Sequence, residues 1–296
     1  MIMCIIIGKY FPGTGWVAVK NRDRNYIPEI SFRNFKTDGL EVTYFWDDIT
    51  QYCEGINSAG VGILSASLMV LDDEKEIDKR SREPSQDGIR IKAALRLRDP
   101  RAAAMYLIKQ GLTGNTLVFD AETMILIEGA YHDSEDSFEY RARIVPHTET
   151  VVRTNHGIWL PWAGYQRRRG DPAESASRVS SESRLLLAEY VSEQAQNPME
   201  LIDSLCRDYV GDPQLNVFRT TDDGKKMRTT AQLLIIPREE TMYVRPVQSH
   251  MTFDFWKLNQ PNQKTWVEIL SNRPFYRGRK PTVANPKFMH KVDSKA

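Results

Sequence analysis

At 296 residues the chain is long enough for one large core or two small ones. Its 41% hydrophobic and 27% charged residues are ordinary for a soluble globular protein, and a formal charge of +1 gives no reason to expect nucleic acid or an acidic membrane as partner. Cys4, Cys53 and Cys206 lie too far apart for a disulfide framework or metal site, and the five histidines lack short metal spacing, so no metal or cofactor is expected.

No apolar run approaches the roughly 18 residues of a membrane span. The start, MIMCIIIG, lacks the basic region and cleavage site of a secretory signal, so a cytoplasmic protein is expected.

The first predicted element is a hairpin. Residues 4–9 and 16–21 are rich in β-formers, and Pro12-Gly13-Thr14-Gly15 supplies turn chemistry. Folding about the middle of that turn pairs residues whose numbers sum to about 27, which sets Cys4 opposite roughly Asp23. A loop-rich stretch follows, then a turn over 57–60 and a buried strand over 61–69. The charged segment LDDEKEIDKRSREPSQDG reads as a solvated loop.

Helices are predicted over 87–97 and 100–110, the second with Asp99 as N-cap, Pro100 at its first position and Gly111 past its end. Strands follow over 116–119, 124–128, 138–144 and 150–153. A second helical pair covers 181–194 and 198–209, and the last strands cover 215–219, 230–236 and 242–246. This segregation of strands and helices favours an α+β layered fold in one domain over a doubly wound sheet. The tail from residue 272, rich in Arg, Lys and Pro, is expected on the surface or disordered.

GKYFPGTG is not a phosphate loop, because its lysine precedes the glycine turn and strands flank it. The residue with a chemical use of its own is Cys4. If residues 1–3 are removed, its α-amine, with a reference pKa of about 7.7–8.0, can act as base for its own thiol. Asp23 is placed by the hairpin to orient that amine, and a cation at Lys20 or Arg22 favours thiolate. Taken alone, the same residues also describe a buried strand cysteine beside a polar strand end, and that plainer account is the default for this segment.

Four segments, in order, resemble the cysteine branch of the N-terminal-nucleophile hydrolases, which contains choloylglycine hydrolases, penicillin V acylases and the penicillin acyltransferase family. They are Met-Cys leading a hairpin that ends in KNRD, the turn and strand GINSAGVGILSAS, the RTNHG element, and ESRLLLAEY at a helix start. Together they span about residues 4–247. The resemblance implies a four-layer αββα sandwich and cleavage of a linear amide through an acyl-thioester. Water as acceptor makes an amidase, and another amine or thiol makes an acyltransferase.

By the same resemblance Cys4 is the nucleophile, Asp23 holds the α-amine, Asn155 donates to the oxyanion and Arg184 supports the site. Ser67, through its backbone N–H, completes the oxyanion hole. Lys20 stands where the family has an arginine near the thiol, unless Arg22 reaches in from a shifted register. Trp159 and Trp162 are candidates to line an apolar acyl pocket. The implied organisation is a leader of residues 1–3 removed by a start at Met3, by another enzyme or by autocatalysis, one domain over 4–271, and a basic tail over 272–296. A small amide is the expected partner, and a homo-oligomer is left open.

NRDRNY also resembles the Asn-Arg-Asp-Glu element of the transport-and-Golgi-organisation family, with Arg24 in place of glutamate. A non-catalytic binding protein that keeps the fold is the reading of a different class, and an unprocessed leader favours it.

Overall fold

In a computed structural model of the chain, the residues described are 2–24, 28, 30–68, 86–132, 137–164, 172–207, 209–219, 227–248, 251–252 and 256–257. The N-terminal hairpin is longer than predicted, with β1 at Ile2–Phe11 and β2 at Gly15–Arg24. Its loop is the three residues Pro12, Gly13 and Thr14, with Gly13 and the following Gly15 both at positive φ. A loop of odd length centres the hairpin on Gly13, so paired residues sum to 26 and Cys4 faces Arg22, with Met3 opposite Asp23. The predicted register was one residue off.

The stretch predicted as loop-rich folds into β3 (Ile30–Thr37) and β4 (Leu40–Asp47), followed by β5 (Cys53–Asn57). Asp38 and Gly39 connect β3 to β4 with both residues at positive φ, the two-residue turn that Asp-Gly favours between strands. The Asn57 side chain caps the next turn by accepting from Ala59 N and Val61 N at 3.0 Å each, and β6 (Gly62–Ala66) follows. Met69 and the charged segment up to residue 85 lie outside the described residues.

Helices α1 (Gln86–Ala94) and α2 (Pro100–Lys109) come next. Asp99 caps α2 by accepting from Ala102 N at 2.9 Å, and Gly111 turns the chain away at positive φ. Strands β7 (Gly114–Phe119), β8 (Met124–His132), β9 (Ser137–Ile144) and β10 (Val151–Arg153) follow. Helix α3 (Pro172–Gln194) starts nine residues before the predicted position, and α4 (Pro198–Ser204) ends earlier than predicted, in a tight turn where Cys206 N reaches Asp203 O.

The run 215–219 was predicted as a strand and is not one. The Asp212 carbonyl accepts from Leu215 N and Asn216 N, and side chains take up the following carbonyls: Ser183 reaches Leu215 O and Asn21 reaches Val217 O. The chain finishes with β11 (Arg228–Ile236), β12 (Thr241–Gln248), β13 (Met251–Thr252) and β14 (Trp256–Lys257). The basic tail lies outside the described residues.

Both sheets are antiparallel among the described residues. One runs β10-β1-β2-β11-β12-β13, with β14 beside β12, and the other runs β3-β4-β5-β6-β7-β8-β9. The alternation of β1 and β2 sorts them into layers. Cys4, Ile6, Trp16 and Ala18 pack between the sheets against Phe45, Leu64, Leu117 and Leu126. Ile5, Ile7, Val17 and Val19 face Ala188 and Val191 of α3 and Leu201 and Ile202 of α4. On the far side Ile91, Ala94, Ala103 and Leu107 of α1 and α2 cover the second sheet. The order of layers is therefore αββα. No helix among the described residues is long and apolar enough to cross a membrane.

Candidate active site

The apolar alternation of β2 stops at residue 20. From there Lys20, Arg22 and Arg24 point between the sheets while Asn21 and Asp23 point toward α3 and α4, and all five side chains are buried. On β2, charge is thus confined to the end away from the turn, beside Cys4.

On the inner face the opposite sheet supplies the counter-ions. Lys20 pairs with Glu54 and donates to Ser65 O at 2.5 Å, and its Nζ lies 5.2 Å from the centre of the Tyr52 ring. Arg22 bonds Asp47 at 2.7 Å, with its Nε 3.9 Å from Glu54. Arg24 places Nε 3.7 Å from Asp47 and Nη1 2.7 Å from the Asp23 carbonyl oxygen. The same Nη1 donates to Cys4 Sγ at 3.5 Å.

These cations separate the three thiols chemically. Burial pushes the Cys4 thiol up, but Lys20 and Arg24 outweigh it and hold the group below its ordinary range. Burial raises Cys53, with Glu54 adding to the effect, and burial raises Cys206 as well. Among the three, Cys4 is the one poised toward thiolate.

On the outer face Asp23 accepts from Arg184 of α3 and from Thr229 Oγ1 at 2.8 Å, while Arg219 Nε stands 3.8 Å away. Burial and the neighbouring Arg184 push Arg219 down to about 9 against the opposite pull of Asp23. Asp23 and Cys4 therefore lie on opposite faces of the sheet, a consequence of the corrected register. The backbone N–H of Cys4 donates to Asn155 Oδ1 at 2.7 Å, and Asn155 Nδ2 donates to Ser67 O at 2.6 Å. Asn155 thus ties the cysteine to the segment after β6.

Residues 154–164, which carry Asn155, close into a ring around a buried carboxylate. Glu128 of β8 accepts from Ile158 N at 3.0 Å, Trp159 N at 2.9 Å and Leu160 N at 2.6 Å. Asn115 donates to the carbonyls of Thr154 and His156, and Ser181 of α3 bonds His156 Nδ1 at 2.7 Å. Gly164, at positive φ, backs so closely on the Asn155 carbonyl that a Cβ would overlap it. Glu128→Gln turns one acceptor oxygen into a donor facing a backbone N–H. It is expected to lower stability by about 1–3 kcal/mol. Urea denaturation reads this directly, and an unmoved midpoint would mean that the ring is held by other contacts.

Of the residues singled out in the sequence, Cys4, Lys20, Arg22, Asn155 and Ser67 converge on one end of the inter-sheet layer, and Asp23 with Arg184 stands behind them. Trp159 is partly buried against the inter-sheet core, with Arg153 and Arg143 guanidinium carbons 5.0 and 5.6 Å from its ring centre. Arg24, Asp47, Glu54, Glu128, Arg219 and Thr229 were not anticipated. The signal for Arg24 was present, since residues 20, 22 and 24 share a face of any strand. Among the described residues no group of three or more His, Cys, Asp and Glu side chains is arranged to hold a metal ion.

Two facing antiparallel sheets between helical layers make the N-terminal-nucleophile hydrolase fold. The structure is similar to that of penicillin V acylase from Agrobacterium tumefaciens, with a TM-score of 0.50 over 87% of each chain at 13% identity. Two structures of conjugated bile acid hydrolase from Clostridium perfringens, one a mutant and one a variant, align with TM-scores of 0.46 and 0.48. Their identities are 11% and 10%, over 90% and 88% of this chain and 96% and 94% of theirs. No protein-family model matches the chain, and no curated protein matches it. At this identity the likeness establishes the fold alone.

Proposed function

We propose that the protein is an N-terminal-cysteine amidohydrolase acting on linear carbon–nitrogen bonds other than peptide bonds. Residues 1–3 are removed and the Cys4 α-amine becomes the base for its thiol. The thiolate attacks the amide carbonyl. The oxyanion is held by the Asn155 side-chain N–H and a backbone N–H near Ser67, and the leaving amine departs with the proton. Water then releases the acyl group from the thioester. Asp23, itself held by Arg184 and Thr229, orients the amine, and Trp159 borders the acyl group.

The observation that carries this reading is the setting of Cys4. It is a fully buried thiol held below its ordinary range, beside the Arg24 guanidinium, with its own nitrogen already engaged by Asn155. The acylase-like fold supports the same reaction class.

The test is intact mass and N-terminal sequencing of the purified protein, followed by a panel of N-acyl amides assayed with and without an added amine acceptor. A chain beginning at Cys4 that releases free acid from an amide is the expected result, and acyl transfer would show as a second product. A chain that keeps Met1-Ile2-Met3 would overturn the reading, because an amide nitrogen has no basic lone pair. The paired state of residues 2 and 3 on β1 would then favour the binding-protein reading.

A further inference from the structure

Three cations on one face of β2 compete for the role of partner to the thiol, and their contacts distinguish them. Lys20 is committed across the layer to Glu54 and to Ser65 O. Through its charge alone Lys20 draws the Cys4 thiol down more strongly than Arg24 does, with Glu54, its own ion-pair partner, in opposition. Arg22 lies directly across the hairpin from Cys4, yet its Nη2 is bonded to Asp47 and its guanidinium carbon lies 5.0 Å from the centre of the Phe45 ring. Arg24 stands diagonally opposite, and although its Nε lies 3.7 Å from Asp47 it sends Nη1 to the sulfur at 3.5 Å, braced by the Asp23 carbonyl at 2.7 Å. A guanidinium N–H fixed by a backbone carbonyl keeps its direction, which a flexible ammonium does not.

The register adds a second observation. Ile2 and Met3 pair with Arg24 and Asp23, so loss of residues 1–3 uncovers these two positions of β2 and no others.

We propose that Arg24 is the hydrogen-bonding partner of the Cys4 thiolate and a second catalytic residue, with Lys20 and Arg22 committed to the opposite sheet. Its catalytic consequence rests on the reading of Cys4 as nucleophile, whereas the contact itself does not. Once the leader has gone, thiolate and guanidinium share the vacated end of the hairpin, the place a substrate carbonyl must reach.

The test measures thiolate absorbance near 240 nm against pH. Wild type, Arg24→Gln and Arg24→Lys are each read as the difference from the same protein carrying Cys4→Ala. The other groups around the sulfur, Lys20, Arg22, Asp23, Asp47, Tyr52, Glu54 and Arg219, are the same in every pair. Removing an opposite charge at this range raises the Cys4 midpoint by about 1–3 units, and the thiolate fraction at neutral pH falls with it. Arg24→Lys keeps the charge but loses the fixed N–H, and a smaller rise is expected.

Circular dichroism establishes which variants fold. Should Arg24→Gln not fold, Arg24→Lys decides. An unmoved midpoint in a folded variant overturns the assignment. A raised midpoint in a protein that cleaves no amide upholds the Arg24–Cys4 contact and sinks the amidase reading, and amide turnover with an unmoved midpoint does the reverse.

Discussion

Replacing Cys4 by alanine is expected to abolish amide cleavage while leaving the fold in place. Loss of a nucleophile that works as a unit with its base costs on the order of 10^6-fold in turnover. The structural cost is small by comparison. Cys4 is a minor member of the inter-sheet core, among Ile6, Phe45, Leu64 and Leu117, and deleting one buried sulfur from such a site costs about 1 kcal/mol. Steady-state kinetics and thermal unfolding on the same sample separate the two effects. Turnover within tenfold of wild type would refute the nucleophile assignment. The variant also reports on the leader. Residues 1–3 kept in Cys4→Ala but lost from wild type would assign their removal to the thiol itself, and removal from both would assign it to another enzyme.

The largest effect on stability is expected at Arg184. Its guanidinium is fully buried and pairs with the equally buried carboxylate of Asp23 across 161 residues of chain. Arg184→Met leaves that carboxylate with Thr229 and the more distant Arg219, and a broken buried pair costs about 3–5 kcal/mol because the remaining charge lacks compensation. For a chain of this size the melting temperature should fall by about 6–20 °C. Adding Asp23→Asn removes the stranded charge, so the double variant should regain part of that loss. A double variant as unstable as the sum of the two single ones would show that the ion pair contributes no coupling of its own. Activity should stay low in both, since Asp23 is assigned to the α-amine.

Local chemistry was legible in the residues themselves. Asp99 and Pro100 start α2 and Gly111 ends the turn after it, while Pro12 to Gly15 make the first hairpin, because a cap or turn needs only neighbouring residues. Asp38-Gly39 is an equally legible hairpin turn, and it joins β3 to β4. The order of four motifs pointed to the αββα sandwich, and the two facing sheets with their flanking helices have that architecture.

What the sequence left open was decided by pairing. One residue in the register of β1 against β2 moves a side chain to the other face of the sheet, and so it set the Asp23 and Cys4 side chains on opposite faces and brought Arg24 to the thiol. The predicted strand over 215–219 failed for a similar reason, since distant side chains such as Asn21 satisfied its backbone. Cys4 and Asn155 are 151 residues apart, and Glu54, Asp47 and Glu128 reach the site from a second sheet. The sequence alone determined which groups with useful chemistry the chain carries and which turns and caps it can make. Only the stacking of the two sheets decided which of those groups share a face, because that depends on contacts between residues far apart along the chain.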